Sequence, residues 1–381
     1  MFTLQLADFS LEHFLSHYWQ QKPVLIRQGF PLFSDPISPD ELAGLACEAD
    51  VESRLVYKKD GQWQAETGPF ESYDRLGEQD WALIVQAVNH WSAPVAALVE
   101  AFSFIPKWRL DDVMVSYSTP GGGVGPHIDL YDVFICQGSG RRRWRVGEVG
   151  THRQFAAHPA LLHTDPFEAI IDAELLPGDI LYIPPGFPHE GVTFEHSMSF
   201  SVGFRARSAK DMLSGLADHV IDKELGGALL RDPQRAPHSQ QGRIDGGDFA
   251  RIKAHLRAVL EDDALIADFA GGFFSKTKCA LDLQELEQPF DEAELLDELT
   301  RQDLLRIGGL RCFYVDQTVQ RGVCYIEGER FEFGAACHGA MLALCDNERL
   351  SHALLKPWLA QPGLLAALTQ WLNCGYWYFE E

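Results

Sequence analysis

Residues 111–146, DDVMVSYSTPGGGVGPHIDLYDVFICQGSGRRRWRV, decide the fold. Apolar and polar residues alternate from Val113 to Ser118, again from Ile128 to Cys136, and in a third short run from Arg142 to Val146. Between these runs stand PGGGVGP and QGSG, turn sequences that interrupt any helix. A further strand, Ile180 to Ile183, follows the turn Pro177-Gly178-Asp179, and the period of two persists to about Phe204. Short strands at this spacing predict an antiparallel sandwich or barrel.

On either side of this block the period is helical. Leu11 to Gln20 carries Leu11, Phe14, Leu15 and Tyr18 on one face and stops before Lys22-Pro23, which forces the chain into the short apolar run Val24-Leu25-Ile26. Ser38-Pro39-Asp40-Glu41 is a helix start, with Ser38 as cap, Pro39 at the first position and Glu41 at the third. After Arg207, Ser208 and Asp211 open a helix with the stripe Met212, Leu213, Leu216, Val220 and Ile221. A polar loop from Arg231 to Gly247 separates it from a second stripe: Phe249, Ile252, Leu256, Val259 and Leu260. These two apolar faces must pack either on the β-core or on a second copy of the chain, and the pattern leaves both open. The remainder reads as helix (Asp291 to Gln302), strand (Arg311 to Val315), a hairpin through Glu327-Gly328, two more helices and a terminal strand, Tyr376 to Phe379. That is a small α+β module of the winged-helix kind. Its first helix carries Asp291, Glu292, Glu294, Asp297 and Glu298, which argues against a DNA-reading face and for a protein contact or a structural role.

The 381 residues include 55 Asp and Glu against 32 Lys and Arg, a formal net charge of −23. Such a chain is a poor direct ligand for nucleic acid, because each phosphate contact needs a cation, and its partners are expected to be basic or small. No apolar run is long enough to span a membrane, and the start MFTLQLADFSLEHF lacks the basic and apolar regions of a signal peptide, so a cytoplasmic location is expected. The eight cysteines form no C-x-x-C pair and no zinc spacing, which fits free thiols in a reducing compartment.

The chemistry is carried by His127-Ile128-Asp129, just after the glycine-rich turn. Residues two apart in a strand share a face, so imidazole and carboxylate point the same way. The segment Pro177-Gly178-Asp179, strand, Pro184-Pro185-Gly186-Phe187-Pro188 delivers His189 onto what is expected to be the facing strand. Two histidines and one carboxylate on one face of an octahedron form the ligand set of non-haem Fe(II) oxygenases, which leaves three positions for a bidentate cosubstrate and O2. A second His-x-Asp, His163-Thr164-Asp165, stands before Pro166 in a segment read as surface loop, and His196 is read as a strand entry. In the arginine run, Arg141, Arg143 and Arg145 share a solvated face, whereas Arg142 shares its face with Trp144 and Val146. A guanidinium buried there requires an anion, either a dicarboxylate cosubstrate or a protein acid.

The run from Asp111 to Val146, the segment PGDILYIPPGFPHEG and the opening HYWQQKPVLI from His17 resemble the JmjC 2-oxoglutarate oxygenases. More narrowly, they resemble the bacterial ribosomal oxygenases that hydroxylate an arginine of large-subunit ribosomal protein sixteen, a likeness covering essentially the whole chain. The resemblance implies an α+β architecture with a JmjC double-stranded β-helix (a cupin-like jelly roll), a helical dimerisation region and a winged-helix-like C-terminal module. The corresponding boundaries are 1–207, 208–268 and 269–381. It implies Fe(II), 2-oxoglutarate as cosubstrate, O2, a basic ribosomal protein as substrate, and a homodimer. Carried onto this chain, the metal ligands are His127, Asp129 and His189, and Arg142 grips the distal carboxylate of 2-oxoglutarate. Strand parity adds Ser116 and Ser199 as candidates toward the cosubstrate, and Asp112, Met114, Tyr131 and Ser201 as candidates toward the substrate. An anionic Asp112 beside an aromatic and a thioether suits an arginine side chain: a carboxylate for the guanidinium and apolar walls for its methylenes. A JmjC enzyme acting on another residue, by histidine hydroxylation or lysine demethylation, would share the iron site, and a non-enzymatic cupin sensor would share the β-core.

Overall fold

The structure is a computed structural model that describes residues 2–380 except 7, 8, 236, 238, 239, 285 and 362. The chain forms two compact units. The first comprises Met1–Ala206, Lys278–Asp282 and Ile307–Gly309, and the second Arg207–Thr277, Leu283–Arg306 and Leu310–Glu381.

The strands of the first unit are β1 (Val24–Ile26), β2 (Ser53–Lys59), β3 (Gln62–Thr67), β4 (Trp81–Val85), β5 (Leu110–Ser118), β6 (His127–Ile128) and β7 (Tyr131–Gln137), followed by β8 (Arg142–Gly147), β9 (Gln154–His158), β10 (Leu161–Thr164), β11 (Ala169–Leu175), β12 (Ile180–Ile183), β13 (Pro188–Thr193) and β14 (Ser197–Arg205). Eight form one sheet in the order β1-β12-β7-β14-β5-β4-β2-β3; four form a second, β11-β8-β13-β6; β9 and β10 form a hairpin. Between β5 and β14 the chain alternates repeatedly between the two larger sheets, which is the jelly-roll arrangement expected from the turn spacing.

β7 lies inside the large sheet between β12 and β14 and is buried on both faces. Phe134 and Cys136 join a cluster with Phe14, Phe30, Phe102, Phe200 and Phe204. Val133 and Ile135 point the other way, into a cluster with Trp144, Val146, Leu181 and Ile183. A strand with two buried faces has no polar side to expose, which is why Val133 to Cys136 is an unbroken apolar run.

The expected strand from Ile128 to Cys136 is split at Asp129 and Leu130. β6 pairs with β13 in the small sheet, whereas β7 pairs with β12 and β14 in the large one, so the chain changes sheet at this point. Gly186 N–H donates to the Asp129 carbonyl at 2.8 Å and secures the crossing. The helix Leu11–His17 is shorter than expected, and Gln20 beyond it has a left-handed φ of 57° that turns the chain toward Pro23. The helix Pro39–Leu45 has the Ser38/Glu41 capping box read from sequence.

In the second unit the helix Ala209–Asp222 packs against Asp263–Ser275. A Cβ added at Gly215 would stand 2.5 Å from the Phe273 ring, so only glycine permits this approach. The latter helix runs across the limit expected at 268/269, and both sides of that limit belong to the second unit, apart from Lys278–Asp282 and Ile307–Gly309. Much of the two apolar stripes is uncovered: Leu213, Ile221, Phe249, Leu256 and Leu260 are exposed, while Leu216 is buried. The C-terminal part holds the helices Glu292–Leu299, His338–Asp346 and Leu364–Asn373 and the hairpin Val323–Ile326/Glu329–Glu332, whose turn residues Glu327 and Gly328 both have positive φ. The strand Leu304–Arg306, which pairs with Arg349–Leu350 and Trp377–Phe379, escaped the sequence reading because three residues display no period. No helix among the described residues is long and apolar enough to cross a membrane.

Candidate metal centre

β6 and β13 pair with His127 directly opposite His189, and Asp129 follows β6 where the chain leaves for the large sheet. Asp129 Oδ2 lies 3.8 Å from His127 Nε2 and 3.6 Å from His189 Nε2. Among the described residues, these three form the one group whose ligand atoms converge closely enough to hold a metal ion, within 4.8 Å of one another.

Both rings are oriented by backbone. His127 Nδ1–H donates to the Gly125 carbonyl at 2.9 Å and His189 Nδ1–H to the Phe187 carbonyl at 3.0 Å, which leaves each Nε2 as a lone pair facing Asp129. Burial, reinforced by the proximity of His189, pushes His127 down to about 4, so its imidazole is neutral and able to donate its lone pair. Burial alone would raise Asp129, but the two imidazoles beside it outweigh that effect and hold the carboxyl at about 2. The Tyr131 hydroxyl also donates to Asp129; burial and that carboxylate push its own pKa up. Two imidazole Nε2 atoms beside an ionised carboxylate form a donor set suited to a divalent transition metal.

The three groups line a cavity together with Arg142, Ser116, Ser199, Met114, Tyr131 and Ser201, every other sequence-predicted site residue except Asp112. Strand register explains the convergence. β5 pairs with β14 so that Ser118 faces Ser197, Ser116 faces Ser199 and Met114 faces Ser201, and all six point to one side. Ser118 and Ser197 were missed by the sequence reading, although the parity that selected Ser116 and Ser199 extends to them. Ala82 and Ile84 of β4 also line the cavity and carry no such signal.

Arg142 is 5% exposed. Its Nη2 donates to Ser118 Oγ at 2.6 Å and Ser197 Oγ at 3.3 Å, its Nη1 to Ser116 Oγ at 3.4 Å, and its Nε is buried without a partner. Among the described residues no carboxylate pairs with it, and burial pushes it down to about 10. Ser199 Oγ is likewise buried with no hydrogen-bond partner. A lone buried cation beside an unpaired hydroxyl, in a cavity that also holds a ligand triad, is chemically matched to an anionic ligand. The neighbouring arginines behave as expected of an outer face: Arg141 pairs with Glu174 and Glu195, Arg143 with Asp172 and Arg145 with Glu190.

Asp112 shares the face of Met114 and Ser116 but is not among the residues lining the cavity. Its Oδ2 accepts the Ala87 N–H at 3.0 Å, and burial, followed by the charge of Asp111, raises its pKa to about 6. His163 corrects the surface reading of His163-Thr164-Asp165. It is 3% exposed, lies in β10, donates through Nε2 to the Val124 carbonyl at 2.8 Å and meets the Trp63 ring edge-on at 5.0 Å. Its imidazole also packs under Gly125, where φ is 80° and an added Cβ would stand 2.4 Å from the ring. His163 thus props the turn whose carbonyl orients His127. His196 is exposed just before β14 and pairs with the Tyr117 hydroxyl at 2.6 Å.

The JmjC domain family model matches residues 97–212, and the ROXA-like winged helix model matches residues 258–378. The chain is 47% identical to the ribosomal protein uL16 3-hydroxylase of Escherichia coli (strain K12), over 99% of this chain and 98% of that protein. The X-ray structure of E. coli ycfD superposes with a TM-score of 0.93 at 46% identity, covering 99% of this chain and 100% of that one. A structure of the E. coli ribosomal oxygenase YcfD in complex with cobalt and 2-oxoglutarate superposes with a TM-score of 0.89 at 44% identity over the full length of both chains. With the jelly roll, the His-Asp-His convergence and this full-length identity together, the chain belongs to the JmjC ribosomal oxygenase family.

Proposed function

We infer that this protein is an Fe(II)- and 2-oxoglutarate-dependent oxygenase that hydroxylates an arginine, at its β-carbon, of a large-subunit ribosomal protein of the uL16 type. The observation that carries the reading is Arg142, a buried guanidinium with no carboxylate partner among the described residues, in the same cavity as the convergent His127, Asp129 and His189. The cobalt and 2-oxoglutarate complex of the E. coli relative supports the same assignment.

In this reading His127, Asp129 and His189 hold the metal. Arg142, assisted by Ser116 and Ser199, holds the distal carboxylate of the cosubstrate. Bound Fe(II), with 2-oxoglutarate and O2, supplies the oxidation that replaces a substrate C–H by C–OH. The chain's own work is orientation. Gly125 and Phe187 hold the imidazole tautomers through their carbonyls, and Tyr131 holds the Asp129 carboxylate. Asp112 supplies the charge for a substrate guanidinium, with Met114, Tyr131 and Ser201 forming the path to the metal. The charge of −23 favours a basic protein substrate and draws it by long-range attraction. The exposed stripes at Leu213, Ile221, Phe249, Leu256 and Leu260 support a homodimer formed through these helices. A ribosomal-protein substrate supports a cytoplasmic location.

The test is incubation of the purified protein with Fe(II), 2-oxoglutarate and a recombinant large-subunit protein of this type, followed by peptide mass spectrometry. A +16 Da shift on one arginine, absent with His127→Ala, is expected. A shift on histidine, loss of methyl groups from lysine, or no shift with iron-replete enzyme would overturn the reading.

A further inference from the structure

Three cysteines from three separate elements meet inside the C-terminal module. Cys312 lies on the strand Cys312–Phe313, Cys324 on the strand Val323–Ile326 and Cys345 near the end of the helix His338–Asp346. All three are buried. The Sγ atoms of Cys312 and Cys345 are 3.2 Å apart, although the residues are 33 positions apart in sequence. Cys324 is hydrogen-bonded to both, donating its thiol proton to Cys312 and accepting from Cys345. A disulfide bond is about 2.05 Å long, so roughly 1 Å of closure separates this thiol contact from a covalent bond.

A charge stands beside the cluster. Arg306 is buried, donates to the carbonyls of Leu344 (3.2 Å) and Cys345 (3.5 Å) and pairs with Glu348. Its guanidinium acts electrostatically on both Cys312 and Cys345. Cys312 is the thiol most favoured as thiolate: burial opposes ionisation, but hydrogen bonds from the Cys324 and Cys345 thiols and the Arg306 charge outweigh it. Cys324 and Cys345 are pushed the other way. A thiolate beside a protonated thiol is the arrangement of an attacking and a resolving cysteine.

We propose that Cys312 and Cys345 are an oxidisable pair that closes to an intramolecular disulfide in response to hydrogen peroxide. The Cys312 thiolate attacks one peroxide oxygen; the O–O bond breaks, a sulfenic acid forms, and the departing hydroxide takes up the proton that Cys312 released, giving water. The Cys345 sulfur then attacks the sulfenic sulfur. The S–O bond breaks, the disulfide forms, and the sulfenic oxygen leaves as a second water with the Cys345 proton. Two thiols are oxidised and one peroxide is reduced to two waters. Burial selects the oxidant, because a water-sized peroxide reaches the site through small fluctuations whereas glutathione disulfide needs the module to open. The bond ties the strand at Cys312 to the helix at Cys345 and so stabilises the module, independently of the metal centre.

The experiment uses the full chain carrying Cys47→Ser and Cys374→Ser, which removes the two exposed thiols. The protein is treated with hydrogen peroxide or with glutathione disulfide, denatured, alkylated and analysed by intact mass and peptide mapping. Expected are a loss of 2 Da with peroxide, a linked peptide joining Cys312 to Cys345, no reaction with glutathione disulfide, and a Tm raised by on the order of 5–10 °C that dithiothreitol reverses. Adding Cys345→Ser should abolish the Tm gain. Full alkylation of Cys312, Cys324 and Cys345 after peroxide overturns the proposal, as does a linkage that uses Cys324 in place of either partner.

Discussion

Replacing Arg142 by methionine separates a cosubstrate anchor from a structural ion pair. Among the described residues the guanidinium is held by serine hydroxyls alone, and burial lowers its pKa to about 10, equivalent to a cost of about 3 kcal/mol for keeping the charge there. Methionine removes that cost and fills similar volume, but it leaves up to three hydroxyls without a donor, at about 1 kcal/mol each. The opposing contributions nearly cancel, so without ligand the variant should melt within a few degrees of the wild type. The ligand-bound state behaves differently. With Mn(II) and 2-oxoglutarate at about 100 times Kd, binding should stabilise the wild type by about 2.7 kcal/mol, roughly 5–10 °C for a unit of this size. Two charge-assisted hydrogen bonds to a carboxylate are worth about 3–4 kcal/mol together, so the variant should bind about 100- to 1000-fold more weakly. At the same concentration its stabilisation falls to about 0.4 kcal/mol or less, a shift of about 1 °C. Anaerobic differential scanning fluorimetry with and without 2-oxoglutarate measures both quantities. A fall of more than 10 °C in the ligand-free Tm together with a preserved 2-oxoglutarate shift would refute the assignment and make Arg142 a structural residue.

His163→Ala should weaken Mn(II) binding by about 10- to 100-fold in calorimetry, because the turn that orients His127 loses its support, and His163→Gln should recover part of the loss by donating to Val124; unchanged affinity in the alanine variant would leave His163 as packing only. Asp112, raised to about 6, ionises as pH rises through that value, so kcat/KM toward an arginine substrate should climb there. Asp112→Asn should flatten that limb and lower kcat/KM by about 10- to 100-fold at pH 7.5. For stability the sign is reversed: the folded state holds the proton more tightly than the unfolded chain, so this group's contribution falls as pH rises from about 4 to about 6. Turnover of the intact basic substrate should decline with ionic strength more steeply than turnover of a short neutral peptide; equal slopes would reduce the acidity to a role in solubility.

Much of the catalytic unit is legible because strand parity is a local property. His127 and Asp129 could be paired from their spacing, and Ser116 and Met114 assigned to one face, without knowledge of any partner strand. The Ser38/Glu41 and Ser208/Asp211 caps were readable for the same reason, since each is closed within a single helical turn. Parity fails where the chain stops being one strand. Asp129 faces the histidines although β6 ends at Ile128, because the sheet change and the Gly186 hydrogen bond place it there. Asp112 keeps the parity of Met114 yet leaves the cavity lining to accept the Ala87 amide.

The order of apolar, polar, glycine and proline residues therefore determined by itself that this protein is a β-core with flanking helical segments, and which side chains share a face with His127. Tertiary structure alone decided which faces meet: that Ser118, Ser116 and Met114 lie opposite Ser197, Ser199 and Ser201, that Arg142 is buried among serines with no acid partner among the described residues, that His163 supports the turn that orients His127, and that Cys312 lies against Cys345. These are contacts between residues tens of positions apart. They follow from how whole sheets and helices bury their apolar faces against one another, which no window of sequence contains.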